Sequence, residues 1–251
     1  MPLSLSRASL SRGWTLLSPV LFLSLTVTAF RQSQTNKFAV LEVERINVRE
    51  KDGTLRLVIS NQARSPAPTD HGQAWYGKGG NRAGLIFYNE EGSENGGLIF
   101  DGRREKDGHY SAGAGLTFDQ YDSDQIVALQ YQDNNGQRYQ GLAFWDRPEI
   151  PIRQLVTELQ KIDSMPNGSA KTAALDAWTA KQGGLDYSAA RLFIGRTRNR
   201  SSLIQLYDRA GKVRLRLSVD STGVPSLSFM NDSGRVVYAL PDSALASRQK
   251  R

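Results

Sequence analysis

The residues best suited to chemistry in this chain are carboxylates. Glu90, Glu91, Glu94 and Asp101 are followed by a tighter group, Asp119, Asp122 and Asp124, spaced Asp-x-x-Asp-x-Asp. Two carboxyl groups held roughly 5–10 Å apart across a cleft are what a glycosidase uses as its acid and its base or nucleophile. Several carboxylates around one point would instead hold calcium, but the twelve-residue calcium-loop pattern is absent. Neither spacing is matched, so these acids are expected at solvated turns and strand ends. The two histidines, His71 and His109, lie in polar, glycine-rich stretches without a ligand-like spacing and read as loop residues. With no cysteine there are no disulfides, thiol catalysis or zinc–thiolate sites. No catalytic residue, metal or cofactor is assigned. Glycines 92, 96 and 97 fall among Glu90, Glu91 and Glu94, which would repel a phosphate, so Asn89–Gly97 reads as a hairpin turn with a bulge.

Arginine forms the opposite pole. Arg196, Arg198, Arg200, Arg214 and Arg216 make a candidate charged surface within 191–216, a stretch with one acid, Asp208. The acids concentrate in 85–133. The two stretches are expected to meet and neutralise each other, within one chain or between copies. The overall charge of +7 is carried by Arg7, Arg12, Arg31 and Lys37 at one end and Arg248, Lys250 and Arg251 at the other. The body between is balanced, and its basic stretch lacks interleaved aromatics, so nucleic acid is not an expected partner. Tyr110, Phe118, Tyr121, Tyr131, Tyr139 and Phe144 would suit either a sugar-stacking surface or ordinary strand packing, and strand packing is the expectation.

The elements that position these groups announce themselves in a repeated phrase: apolar, any, apolar, any, Asp/Glu/Asn, two residues, Gly. It occurs at Ile46–Gly53, Leu85–Gly92, Leu129–Gly136, Ile204–Gly211 and Leu227–Gly234. Alternating apolar residues mark a half-buried strand, and a short polar side chain three residues before glycine suits a three-residue hairpin loop. After the turn, Gly53-Thr-Leu-Arg-Leu-Val-Ile-Ser60 matches Gly211-Lys-Val-Arg-Leu-Arg-Leu-Ser218, which predicts a true internal repeat. Arg214 and Arg216 fall on one face of their strand. The stripe Ile152, Leu155, Val156, Leu159 and Ile162 predicts a helix with Pro151 as its first residue. A second helix capped by Ser169 carries Ala173, Ala174, Ala177 and Trp178 and stops at Gly183-Gly184. The expected fold is mainly β, repeated antiparallel hairpins in sandwich or barrel-like sheets, with an inserted helical segment. The expected divisions are an N-terminal anchor or signal with linker (1–37), a hairpin domain (38–148), the helical insertion (149–184) and a second hairpin segment with a basic tail (185–251).

Residues 15–30 are uncharged and follow Arg7 and Arg12. This pattern predicts a transmembrane or signal helix that exports the body, either as an uncleaved single-pass anchor or, with cleavage near Val27-Thr28-Ala29, as a secreted form. The segments Glu44–Asn61, Gly84–Phe100 and Leu116–Gln125 resemble a family of uncharacterised bacterial proteins with an N-terminal hydrophobic segment and an exported β-rich domain. The resemblance implies bacterial origin, and the family has no assigned activity to carry over. The expected function is a binding or scaffold module of the envelope, anchored in the inner membrane with its body in the periplasm. Its expected partners are the membrane, an envelope protein or its own copies. The alternative is an exported carbohydrate-active hydrolase using paired carboxylates.

Overall fold

A computed structural model describes residues 37–241, of which Glu44 onward form one compact unit. The expectations for residues 1–36 and for the basic tail lie outside the described residues. No helix among the described residues is long and apolar enough to cross a membrane.

The chain is mainly β. Strands β1 (Arg45–Arg49), β2 (Leu55–Ser60), β5 (Ala83–Tyr88), β6 (Glu94–Arg104), β7 (Tyr110–Asp119), β8 (Gln125–Asn134) and β9 (Gln137–Asp146) run one after another. The run continues through β10 (Ala189–Arg196), β11 (Ser202–Tyr207), β12 (Val213–Val219), β13 (Pro225–Met230) and β14 (Val236–Leu240). All twelve form one antiparallel sheet in that order. A small separate hairpin, β3 (Thr69–Asp70) and β4 (Gln73–Ala74), interrupts the 62–82 loop. The hairpins are therefore as expected, but they build a single meander instead of two packed sheets. Among the described residues β1 and β14 each have one neighbour in the ladder, so the sheet is not closed through them.

The turn phrase holds at four of its five sites. At Asn89–Ser93, the Asn89 amide donates to the Ser93 carbonyl at 3.0 Å and the Gly92 amide to the Asn89 carbonyl at 3.1 Å. The same pair of bonds closes Glu50–Thr54, Asp208–Lys212 and Asn231–Arg235. The fifth site differs: Asn134 pairs with Gln137 across Asn135-Gly136, both with positive φ, a two-residue turn. Four further loops are closed by the same pair of bonds and escaped the phrase. Gln120–Asp124 and Thr197–Ser201 lack its Asp/Glu/Asn and its glycine. Before Glu105–His109 and Asp220–Val224 the alternating positions are Asp101 and Arg103, and Arg216 and Ser218, which are not apolar.

Between β9 and β10 stand helices α1 (Ile152–Asp163) and α2 (Ser169–Lys181). Pro151 precedes α1 instead of opening it. Ser169 is the first helical residue of α2 and makes no side-chain cap, with Gly168 before it. Leu155 and Trp178 are the helices' buried side chains, and the Trp178 indole donates to Glu158 at 2.9 Å. Arg147 ties this region to the sheet. It donates to the carbonyls of Gln125 (2.8 Å) and Tyr187 (3.1 Å), and it pairs with Asp124 at 3.4 Å.

Candidate functional site

Of the acids singled out in the sequence, Glu90, Glu91, Glu94, Asp119, Asp122 and Asp124 gather at one end of the sheet, where the β5–β6 and β7–β8 turns meet the start of α1. Most of them split there into two groups, while Asp101 stands apart on β6 opposite Gly113. Asp70 is buried, and its neighbour His71 stands in the left-handed region at φ 49°. The His71 ring lies 2.6 Å from Asp70 Oδ1 through Nδ1 and 3.3 Å from Glu91 Oε2 through Nε2. Ser93 Oγ donates to Asp70 at 3.2 Å, and the Tyr121 hydroxyl donates to Glu91 at 3.0 Å. From α1, Arg153 forms a short ion pair with Asp70 while resting on the Trp75 ring. Asp122, also left-handed at φ 52°, completes a set of donor atoms lying within 4.8 Å of one another.

Charge decides what this corner can do. Burial would raise the Asp70 carboxyl, but hydrogen bonds from His71 and Arg153 outweigh it and hold Asp70 below the usual carboxylate range. The same bond to Asp70, then its charge, raises His71 above its ordinary value. Burial and the charge of Asp70 push Asp122 upward. Asp70, His71 and Asp122 are the residue types that hold a divalent cation, yet the Arg153 guanidinium is already paired with Asp70. The arrangement is an ion network linking β3, the two turns and α1.

The second group lies deeper. Burial pushes Asp119 up to about 8, and the charges of Asp124 and Glu94 add to it. One of its carboxylate oxygens is buried without a hydrogen-bond partner. Burial likewise raises Glu94, against the pull of Arg82 at 3.5 Å. The acidic cluster of the sequence is thus divided. Asp119 and Asp124 belong with Glu94, and Asp122 belongs with Asp70 and His71. Asp119 is not the solvated acid that was expected, because its strand carries it onto the buried face. His71 is more than a loop residue, because the fold sets it between Asp70 and Glu91. Neither grouping was visible in the spacing, since its members come from separate turns and its arginines from Arg82, Arg147 and Arg153.

The charged surface is divided as well. Arg196 donates to the Arg138 carbonyl at 3.1 Å. Arg198 covers the Tyr139 ring and reaches Gln132 at 3.0 Å, and Arg200 sits in the β10–β11 turn. Arg214 and Arg216 share a face of β12, as alternation requires, Arg216 at the middle of the strand and Arg214 toward its end away from that turn. Arg214 pairs with Asp208 and Asp232, both outside 85–133. Acids of 85–133 are answered instead by Arg56, Arg82, Arg138 and Arg147. Among the described residues no ion pair joins the two opposed stretches, so their expected neutralisation within one chain is not made. The six aromatics do not form one platform: Phe118, Tyr131 and Phe144 lie on the apolar face of the sheet, whereas Tyr139 stacks on Phe193 on the opposite face, Tyr110 lies under Arg104, and Tyr121 is an exposed turn residue.

The largest feature was written in the turn phrase itself. Residues opposite one another in an antiparallel ladder share a face. Followed across all twelve strands, one row reads Ile46, Ile59, Leu85, Leu98, Leu116, Leu129, Leu142, Ile194, Ile204, Leu217, Leu227, Leu240. The next row on that face reads Val48, Leu57, Phe87, Gly96, Phe118, Val127, Phe144, Leu192, Leu206, Leu215, Phe229, Tyr238. Its one gap, Gly96, is flanked by Phe87 and Phe118, whose rings stack with centroids 6.5 Å apart. No charged residue enters either row.

This apolar face is the more exposed one. Leu129 is 57% exposed and Leu217 49%, whereas Val58, Ile86 and Phe193 on the opposite face are at most 5% exposed. An apolar groove of about 900 Å³ runs along the exposed face from Leu98 past Leu129 and Ile204 to Val219. A second, more polar groove of about 510 Å³ includes Arg82, Asp101, Gln130, Gln132 and Arg198. Neither groove is lined by Asp119, Glu94, Asp70 or Asp122. No protein-family model matches the chain, and no curated protein is detectably similar to it.

Proposed function

We propose that this chain is a membrane-anchored, exported module of the bacterial envelope that acts by binding or scaffolding through the apolar face of its sheet. The observation that carries the reading is the pair of uncharged rows crossing all twelve strands on the exposed side. A contiguous apolar patch of more than a few hundred Å² on a soluble body marks an interaction surface. The uncharged 15–30 segment behind Arg7 and Arg12 supports export and anchoring. The alternative, an exported carbohydrate-active hydrolase, draws on Asp119, a carboxyl held protonated near neutral pH as a general acid requires. Neither groove described above is lined by that carboxyl, so binding is the preferred reading.

The chain has no native cysteine, which gives a clean test. Single-cysteine variants Thr222→Cys, in an exposed turn, and Ile204→Cys, on the apolar face, are labelled with a membrane-impermeant maleimide in spheroplasts. Thr222→Cys should react at once and Ile204→Cys slowly. Thr222→Cys reacting only after lysis would refute export. Equal reactivity at both positions would refute a covered working surface.

A further inference from the structure

We infer that the occupant of the apolar face is a second copy of this chain, packed face to face as the other layer of a sandwich. This rests on the reading of that face as the working surface and names its partner. Twelve strands about 4.8 Å apart and two rows about 6.7 Å apart give a band of roughly 58 by 13 Å, on the order of 750 Å². That matches the roughly 800 Å² each partner buries in a stable protein interface, and it exceeds the largest patches common on monomers, roughly 300–600 Å².

The dimensions and composition disfavour other occupants. A lipid-facing barrel carries an apolar belt about 25 Å tall, nearly twice this height. A single acyl ligand is held in a pocket that surrounds it, and this groove has one wall. A transient heterologous interface is only about as apolar as ordinary protein surface, whereas homodimer interfaces are the apolar class. The two rows are uncharged, the first wholly aliphatic and the second half aliphatic and otherwise aromatic but for Gly96, with Arg196 the one charged residue lining the groove beside them; such a surface packs against its own copy. The ridges of one copy seat in the furrow of the other, with sheets about 10 Å apart. An isologous contact needs the same patch on both copies, and the centre of the patch then meets its own copy. Six strands lie on either side of the β8–β9 junction, so Leu129 stands at that centre for either in-plane orientation of the two-fold axis.

The test uses the full-length chain in its membrane, as single-cysteine variants Leu129→Cys and Gln130→Cys. The two residues are adjacent on β8 and face opposite ways. A short bis-maleimide should convert Leu129→Cys to a covalent dimer and leave Gln130→Cys monomeric. Ile204→Cys, tested in parallel, guards against misfolding specific to position 129. If positions 129 and 204 are both shielded from soluble maleimide but give no dimer, a different molecule covers the face. That outcome overturns this inference and leaves the binding reading standing. If both positions label freely and give no dimer, the face is bare and both readings fall.

Discussion

The two faces of the sheet follow opposite rules. One carries large aliphatic and aromatic side chains, and solvent reaches them. The other reads Ser60, Gly84, Ile99, Gly115, Gln130, Gly141, Gly195, Leu203, Ser218, Ser226 along one row, seven of the ten being glycine or serine, and Val58, Ile86, Gly97, Thr117, Ala128, Ala143, Phe193, Gln205, Arg216, Ser228 along the next, and it is the less exposed side. A monomer selected for its own stability would place them the other way round, since burial of apolar area is the dominant favourable term. The small-residue side gains its order from close backbone approach, and the aliphatic side holds apolar area in reserve for another surface. Stability of the single chain and capacity to associate are therefore written on opposite sides of the same strands.

The sharpest way to break this contrast is to add one carbon to the buried face and remove three from the exposed face. A Cβ on Gly195 would lie 2.1 Å from the Gln140 carbonyl and 2.7 Å from the Phe193 ring. Backbone cannot yield there, so Gly195→Ala should cost about 3 kcal/mol or more, the upper end of overpacking penalties. Leu217→Ala, at a half-exposed position, should cost the dilute chain under about 1 kcal/mol. Urea midpoints at low protein concentration measure both. If Leu217→Ala proves the more damaging, the aliphatic face is core and the contrast is wrong.

The sequence shows one of these faces more plainly than the other. Alternation in Ile46–Glu50 or Ile204–Asp208 reveals the apolar side wherever a turn phrase follows. It does not reveal that this side is exposed, because a period of two says which residues share a face and nothing about what covers it. The single meander was equally hidden. Hairpins specify neighbours, while the choice between one sheet and two depends on contacts far apart in sequence. The acidic end was legible as composition and illegible as geometry. Asp119, Asp122 and Asp124 look like one cluster, yet strand and turn send Asp119 inward and Asp122 toward His71. The Gly53 and Gly211 repeat, by contrast, was fully legible and extends to its ion pairs. Arg56 joins Glu50 of its own turn to Glu90 of the next same-end turn, as Arg214 joins Asp208 to Asp232.

Asp119 sharpens the contrast by pH. Its folded value of about 8 lies above the ordinary carboxylate value near 4, so the fold holds the neutral form. The stabilising contribution of a raised group is full below its unfolded value and is lost as pH rises through the folded one. The native chain should accordingly lose stability between about pH 4 and pH 8 relative to Asp119→Asn, which stays neutral. The difference in Tm should be greatest above pH 8 and fade toward pH 4. Parallel pH profiles for the two chains would mean that Asp119 is solvated and the face around it open.

The smallest expected effects compare the repeat with itself. Gly53 and Gly211 have φ of +93° and +74°, in the left-handed region where a side chain is strained by about 1 kcal/mol. A Cβ on Gly53 would meet nothing within 4 Å, so Gly53→Ala should cost that strain alone. A Cβ on Gly211 would also sit 3.3 Å from the Ala190 amide nitrogen and 3.4 Å from Ala189 Cα, where β10 begins after the helices. Gly211→Ala should therefore cost more than Gly53→Ala despite the matching sequence around it. Gly113, mid-strand without a left-handed φ, faces only the movable Asp101 carboxylate at 3.3 Å and the Tyr131 carbonyl at 3.5 Å, and should tolerate alanine best. Urea midpoints in the order Gly113→Ala, Gly53→Ala, Gly211→Ala from most to least stable support this account. Equal values for all three would remove turn strain as the reason these glycines recur. Equal values for Gly53→Ala and Gly211→Ala alone would show that the contact with β10 has room to relax.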